Sequence, residues 1–173
     1  MIVDVDKKVE ELRSTPSDIN EHFGAIIRYG EQCEHITELG VRWIVSTWGW
    51  LSTRPKKLVC YDIMDPSYWG ANIQEVYDSA KEIGVDFSFI KADDLKIEIE
   101  ETDMLFIDTE HTYEQLSQEL KLHGNKARKF LSFHDTTLQP LRKAIKEFIE
   151  ENPHWIIQED HYNNNGFMVL KRI

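Results

Sequence analysis

The chain of 173 residues has few of the features that mark disulfide-bonded, zinc-ribbon or membrane proteins. Its two cysteines, Cys33 and Cys60, are not spaced as C-x-x-C, so we expect neither a disulfide framework nor a zinc knuckle. No segment reaches the ~18 consecutive apolar residues of a membrane span. The first residues, MIVDVDKK, lack the basic and apolar regions of a secretory signal. We therefore expect a cytoplasmic protein without a membrane partner.

The chain also lacks an excess of positive charge. Its formal net charge is −11 and its isoelectric point is about 5.1. Its basic residues form no cluster denser than Lys126–Lys129. This balance argues against a nucleic-acid partner. The hydrophobic content of 41% and the charged content of 29% are typical of a soluble globular protein, and the length suits one compact domain.

A glycine-rich phosphate loop is missing as well. Gly40 follows an apolar run, but the next glycine is Gly49, so the G-x-G-x-x-G motif of NAD(P) and FAD proteins is absent. Asp62 lies 22 residues after Gly40, near the offset of about 20 residues at which dinucleotide folds place the acid that binds ribose hydroxyls. A nucleoside cofactor without a pyrophosphate fits this combination.

Short apolar runs alternate with segments of helical periodicity, which predicts an α/β fold with a doubly wound, mostly parallel sheet. The predicted strands are His35–Val41, Leu58–Met64, the edge strand Asp86–Lys91, the start of Met104–Tyr113 and Lys129–Thr136, followed by an antiparallel hairpin of Trp155–Gln158 and Phe167–Leu170. Asn165-Gly166 between the last two runs is a hairpin signal. Residues 1–34 are predicted to be an N-terminal helical segment and residues 35–173 the Rossmann-like domain.

Three of the predicted helix boundaries depend on local signals. Thr15-Pro16-Ser17-Asp18 predicts the start of the second helix, and an apolar stripe that begins at Trp69 predicts the core side of a later one. Thr112 and Gln115 form a capping box after the fourth strand. An acidic linker, Glu98–Asp103, is expected before that strand.

Acidic residues follow the strands. Because the carboxyl ends of parallel strands meet at one edge of a sheet, these side chains are expected to lie together around a cation or a set of ligand hydroxyls. The five acids are Glu38, Asp62, Asp93, Asp108 and Asp135. His111, three residues after Asp108, is a candidate general base, since an unperturbed histidine with a pKa near 6.5 is mostly neutral at pH 7.

Taken together, the segments ELGVRWIVST, LVCYDI, IKADD, LFIDTEHTYE and FLSFHDT resemble class I S-adenosylmethionine-dependent methyltransferases. The resemblance is strongest to the branch that includes the macrocin O-methyltransferase and cephalosporin-hydroxylase-like proteins. It covers the chain from His35 to the C-terminus, and it implies the strand order 3-2-1-4-5-7-6.

The resemblance also implies site residues and a cofactor, S-adenosylmethionine. Glu38 and Gly40 would lie near the amino-acid end of the cofactor, Asp62 at the ribose and Asp93 near the adenine. Ser46 would also bind the cofactor. Some relatives bind a divalent ion, which here implies a Mg²⁺ or Mn²⁺ site. The implied ligands are Asp108, His134 and Asp135, and the implied catalytic residues are His111 and Asp108.

Two positions depart from the pattern of the family. Ile44 stands where relatives usually have a second glycine, and we expect it to crowd the cofactor loop. Gly124-Asn-Lys-Ala-Arg replaces a Pro-Gly-Gly type turn before the fifth strand.

Three functions therefore stay open at this point. The first is methyl transfer to an oxygen of a small molecule or sugar. The second is a non-catalytic Rossmann-like binding or assembly module, and a homo-oligomer is compatible with each of the three. The third is metal-dependent hydrolysis at the polar cluster around Asp108 and Asp135.

Overall fold

The computed structural model describes residues 2–173 and contains a single seven-stranded sheet. Its order is β3-β2-β1-β4-β5-β7-β6. The strands are β1 His35–Leu39, β2 Lys57–Asp62, β3 Asp86–Lys91, β4 Thr102–Ile107, β5 Ala127–His134, β6 Trp155–His161 and β7 Phe167–Arg172. The first five strands are parallel, and β7 is antiparallel to both β5 and β6. The predicted fold class and strand order are confirmed.

The helices cover both faces of this sheet. They are α1 Val5–Ser14, α2 Phe23–Gly30, α3 Val45–Ser52, α4 Ile73–Glu82, α5 Tyr113–His123 and α6 Gln139–Glu151. Successive residues of a strand point to opposite faces. Met104 and Phe106 accordingly pack in one core cluster with α1 to α4, while Leu105 and Ile107 pack in a second with α5 and α6. No helix within residues 2–173 is long and apolar enough to cross a membrane.

The helices that precede β1 pack in the first of these clusters. Val5 of α1 and Phe23 and Ile26 of α2 are buried there together with Ile36 of β1 and Met104 of β4. The apolar side of these helices therefore completes the core on one face of the sheet. The division of the chain at residue 34 stays a prediction.

Several predicted boundaries need correction. The second helix does not begin at Thr15, whose hydroxyl donates to Glu11 O at the end of α1. Ser17 Oγ instead accepts from Asn20 N at 3.0 Å, and a short 3₁₀ turn leads into α2. Trp69 ends a separate 3₁₀ helix, Pro66–Trp69, and is 40% exposed rather than part of the core. Asp103 is not in a linker but lies buried in β4.

Other local predictions are confirmed. Thr112 caps α5 by accepting a hydrogen bond from Gln115 N. Asn164, Asn165 and Gly166 all have positive φ, as the hairpin turn between β6 and β7 requires. β3 forms the edge of the sheet, as its alternating pattern predicts.

Candidate functional site

The loops that follow β1 and β4 touch at the carboxyl edge of the sheet. Gly40 has a φ of 87°, and a Cβ added there would lie 2.0 Å from the carbonyl oxygen of Asp108. Only glycine fits this left-handed, crowded position. The contact forms a shared wall, and a cavity lies on each side of it.

The larger cavity has a volume of about 440 Å³. It lies over the ends of β1, β2 and β3, and its lining includes Gly40, Arg42, Asp62, Asp93, Asp108 and Gln115. Its size falls within the range of roughly 300–1,000 Å³ that is usual for small-molecule sites. Three of the residues predicted to bind a cofactor, Gly40, Asp62 and Asp93, therefore line one cavity.

Asp62, which lines the cavity, is hydrogen-bonded to the backbone of the loop after β1. Its Oδ2 accepts from the backbone N–H groups of Val41 at 2.8 Å and Arg42 at 3.0 Å, and its Oδ1 accepts from Met64 N at 2.8 Å. A carboxylate oxygen can accept two hydrogen bonds, so Oδ1 keeps capacity for a ligand hydroxyl.

Asp93 also lines this cavity. Its Oδ1 accepts from Leu95 N, and its Oδ2 is 2.8 Å from Lys96 Nζ. The hydrogen bond from Lys96 lowers the pKa of the Asp93 carboxyl, so this residue is ionised at neutral pH.

Glu38 does not lie at the edge with the other acids, and this prediction is corrected. Its side chain is fully buried beneath α3 because Ser46 Oγ donates to one carboxylate oxygen at 2.5 Å and Thr47 Oγ1 to the other at 2.6 Å. Cys60 Sγ lies 3.1 Å away. Burial raises the pKa of Glu38 to about 7. Glu38 and Ser46, both predicted to bind the cofactor, are hydrogen-bonded to each other, and their contact with a cofactor stays a prediction.

The smaller cavity, of about 110 Å³, lies on the other side of the Gly40 wall. Asp108, His111 and Asp135 converge there, with ligand-capable atoms that all lie within 4.8 Å of one another. His111 Nε2 is 2.8 Å from Asp135 Oδ2 and 3.7 Å from Asp108 Oδ1. The structure therefore brings together both predicted catalytic residues, Asp108 and His111, and two of the three predicted metal ligands, Asp108 and Asp135.

The charge state of His111 differs from the expected one. Hydrogen bonds with Asp108 and Asp135 raise the pKa of His111 to about 10, although half-burial works against the charged form. In this arrangement the imidazole is protonated at pH 7, which corrects the expectation that it is mostly neutral. A role as general base stays a prediction, and it requires His111 to lose this proton first.

His134 is buried behind the cluster. Its Nε2 is 2.7 Å from the backbone oxygen of Asp18, and its Nδ1 is 3.1 Å from Asp135 Oδ2. Burial lowers the pKa of His134, but hydrogen bonds to Asp108 and Asp135 outweigh it and raise the value to about 10. Nε2 therefore acts as a donor to the backbone oxygen, while Nδ1 faces the carboxylates of Asp108 and Asp135. The ligand atoms that lie within 4.8 Å of one another belong to Asp108, His111 and Asp135, so the geometry adds His111 as a candidate nitrogen ligand, and His134 as a metal ligand stays a prediction.

Ile44 does not fill either cavity. Its φ is 58°, the left-handed region that favours glycine, which agrees with the glycine of the relatives. The side chain, however, points into the first core cluster and is only 6% exposed. The expectation that Ile44 crowds the cofactor loop is therefore wrong.

A buried polar cluster beside the larger cavity was not predicted. Gln115 Nε2 donates to Asp94 Oδ1 at 3.0 Å and to Glu119 Oε1 at 2.8 Å, and Thr109 Oγ1 donates to the same Glu119 oxygen. Burial, followed by the hydrogen bond to Asp94, raises the pKa of Glu119 to about 9. The second oxygens of both carboxyls are buried and have no other hydrogen-bond partner within residues 2–173, which agrees with a Glu119 carboxyl that keeps its proton. The sequence feature that could have indicated this cluster is the four-residue spacing of Gln115 and Glu119, which matches that of the neighbouring residues Leu116 and Leu120.

Comparisons with known proteins were made at the level of sequence and of structure. No family model and no curated protein sequence matches the chain. The SAH-bound methyltransferase of Podospora anserina superposes with a TM-score of 0.64 at 14% identity, over 99% of this chain and 89% of that one. A protein of Corynebacterium glutamicum gives 0.70 at 13% identity, over 98% and 91%. The O-methyltransferase of Bacillus cereus in complex with SAH gives 0.63 at 14%, over 100% and 94%.

The chain has a methyltransferase fold. At these identities the likeness concerns the fold and not the activity. The branch of macrocin O-methyltransferase and cephalosporin-hydroxylase-like proteins stays a prediction.

Proposed function

We propose that the protein is an S-adenosylmethionine-dependent methyltransferase that methylates an oxygen of a small molecule. The observation that carries the proposal is the pair of cavities on either side of the Gly40–Asp108 contact. The larger one has the size and the acidic lining that a nucleoside with a positively charged group would require. The smaller one, with Asp108, His111 and Asp135, would receive the acceptor hydroxyl.

S-adenosylmethionine, when bound, supplies a methyl group on a sulfonium ion. The residues of this chain have to orient it and exclude water, because in-line displacement depends mainly on positioning. Asp62 Oδ1 would accept a ribose hydroxyl, and Gly40 would let the cofactor approach the backbone. The carboxylates of Asp108 and Asp135 would stabilise positive charge near the wall between the cavities. The acceptor hydroxyl has to lose its proton as the carbon–oxygen bond forms, and His111 would accept this proton only if it had first lost its own and held no metal ion.

We also propose that Asp108, His111 and Asp135 hold a divalent metal ion. Two carboxylates and one imidazole form a mixed set of oxygen and nitrogen donors, which suits Mn²⁺ better than Mg²⁺. Such an ion would supply positive charge beside the reacting oxygen. Calorimetry with Mn²⁺ should show binding that is lost in Asp135→Asn; equal binding by both proteins would remove the metal from the proposal.

The decisive experiment for the methyltransferase proposal is titration calorimetry with S-adenosylhomocysteine. The wild type should bind, and Asp62→Ala should lose affinity by at least ~10-fold, since a hydrogen bond to a charged group contributes about 1.5–3 kcal/mol. Asp65→Ala is the matched control, because Asp65 caps the next turn and does not line the cavity.

Two further outcomes would redirect the proposal. An absence of binding to the wild type would favour the non-catalytic module. Hydrolysis that is stimulated by metal in the absence of S-adenosylmethionine would instead favour the hydrolase.

A further inference from the structure

The rim between the two cavities carries an arginine that is held by aromatic rings. Arg42 lines both cavities. Its guanidinium carbon lies 3.8 Å from the centre of the Trp43 ring and 5.3 Å from that of Trp69. The two indoles meet edge to face with 6.4 Å between their centres. The position of the cation is therefore defined by the rings of Trp43 and Trp69.

Arg42 has no anionic partner among residues 2–173. The hydrogen bond at this residue comes from its backbone N–H, which donates to Asp62 Oδ2. By contrast, the guanidinium groups of Arg28, Arg54 and Arg142 each lie 2.6–2.9 Å from a carboxylate oxygen. The Arg42 guanidinium remains unpaired even though Asp62, Asp93 and Asp108 line the same cavity.

The stacking leaves this group free to bind a ligand. A guanidinium stacks on an aromatic ring through its face, while its five N–H donors lie in its plane and point away from the ring. These donors match two oxygens of a carboxylate or phosphate in a bidentate arrangement. Arg42 can therefore recognise an anion without giving up its contacts with the tryptophans.

The aromatic rings themselves are exposed at the cavity mouth. Trp43 and Trp69 are 44% and 40% exposed, whereas Trp48, Trp50 and Trp155 are almost fully buried. The smaller cavity, of about 110 Å³, is too small for a whole ligand and can admit only its reacting end. The rest of an acceptor that enters this cavity would lie on the rim, against Trp43 and Arg42.

We infer that the rim formed by Arg42, Trp43 and Trp69 binds the methyl acceptor, and that this acceptor is a hydroxylated aromatic compound with an anionic group. The inference rests on the proposed methyltransferase function and narrows its substrate class. The ring would stack against the tryptophans, the anionic group would pair with Arg42, and the hydroxyl would reach the smaller cavity. The acids around the site repel anions, so a preference for an anionic ligand depends on Arg42.

The test uses two probes that differ in one group, 4-hydroxybenzoate and phenol. Each is titrated into the protein saturated with S-adenosylhomocysteine, and the indole N–H signals of the five tryptophans are followed by NMR. The signals of Trp43 and Trp69 should shift, while those of the three buried tryptophans serve as internal controls. The anionic probe should bind roughly 3- to 10-fold more tightly than phenol, since a partly exposed ion pair is screened by solvent.

Variants assign this preference to one side chain. Arg42→Gln should bind both probes equally, and Arg42→Lys, which keeps the charge but not the planar fork, should fall between it and the wild type. Arg54→Gln is the matched control, since Arg54 pairs with Asp6 far from the rim. It should keep the full preference.

Two results would overturn the inference: no preference in the wild type, or an unchanged preference in Arg42→Gln. A loss of S-adenosylhomocysteine affinity in Arg42→Gln without any probe preference would also overturn it, because Arg42 would then hold the carboxylate of the cofactor. If the wild type bound no S-adenosylhomocysteine, the proposed function would fail. Titration of the protein without this compound would still decide whether the rim prefers the anionic probe.

Discussion

Ile44 combines a left-handed backbone conformation, which favours glycine, with a large apolar side chain that is buried in the core. Its backbone has φ 58° and ψ 22° at the N-terminus of α3, a conformation that costs a residue with a Cβ about 1–2 kcal/mol. Its side chain is nevertheless buried in the core beneath the loop. Burial of an isoleucine stabilises the fold by about 1.5–3 kcal/mol, which offsets the strain.

The order of stability of two Ile44 variants tests this balance. Ile44→Ala should lose ~2–4 kcal/mol of unfolding free energy through the cavity it leaves. Ile44→Gly should be more stable than Ile44→Ala by ~1 kcal/mol because glycine adopts positive φ without strain. Urea denaturation measures both values. At Ile145, in the interior of α6, the order should reverse, since glycine is there the poorer residue by ~1 kcal/mol. The same order at both sites would contradict a left-handed Ile44.

The Glu119 carboxyl makes the unfolding free energy depend on pH, and the raised pKa of this group gives the direction of the dependence. Its pKa is raised from 4.5 to about 9 in the folded protein, so the folded state holds a proton that the unfolded chain releases. The contribution of this proton to stability is full below pH 4.5, declines as the pH rises, and is lost once the pH passes about 9.

Glu119→Gln removes this titration and keeps a hydrogen-bond donor toward Asp94. The unfolding free energy of the wild type, measured against that of Glu119→Gln, should therefore fall steadily between pH 5 and pH 9. Denaturant titrations at several pH values give the difference. Glu114→Gln, on the exposed side of the first turn of α5, should show no such trend. A flat difference for Glu119→Gln would mean that the pair shares no proton.

At the scale of elements, the site depends on how closely the ends of β1 and β4 approach. These strands pair in parallel, and Asp108 N donates to Leu39 O at 2.8 Å directly beyond the ladder. The loops consequently leave the sheet side by side, and Gly40 touches the backbone of Asp108. This contact separates the two cavities and sets the distance between them.

Gly40→Ala should disrupt this junction. Its methyl group would lie 2.0 Å from backbone rather than from a mobile side chain, so a loop has to move. We expect a loss of more than ~3 kcal/mol in unfolding free energy together with weaker S-adenosylhomocysteine binding. Gly84→Ala is the matched control, because Gly84 also has a positive φ, of 76°, but no atom within 4 Å of the added methyl. It should lose only ~1–2 kcal/mol and keep the affinity.

At the scale of the whole molecule, the N-terminal helices share the core of the sheet. Phe23 is fully buried among side chains of α3 and the central strands. Trp48 and Gly49 of α3 lie on the same side, and a Cβ at Gly49 would meet Phe23 and Ile26. Residues 5–30, which include α1 and α2, therefore contribute to the stability of the same core as the sheet.

Phe23→Ala should consequently lower the main unfolding transition. We expect a loss of ~3–5 kcal/mol, as large as that of Phe106→Ala in β4, and a single transition in both variants. Thermal and urea unfolding followed by circular dichroism measure this loss. Ile157→Ala, on an exposed face of β6, should change stability by less than ~0.5 kcal/mol. A separate, early transition that responds to Phe23→Ala alone would show that the helical segment folds independently.

The sequence by itself determined the sheet, its order through family resemblance, the hairpin and the capping of α5. These features depend on the spacing of apolar residues and on the residue types in turns, and both involve residues that are close to one another in sequence. It also placed Asp62, Asp108, His111 and Asp135 at one edge, because parallel strands bring their ends together.

Only the tertiary structure decided what each side chain does there. The burial of Glu38 under α3, the pairing of Asp94 with Glu119, and the charge on His111 depend on contacts between segments that are distant in sequence. The same holds for Ile44, whose backbone resembles that of glycine while its side chain belongs to the core. A pKa or a direction of a side chain is set by the groups around it in space, and a linear pattern does not contain those distances.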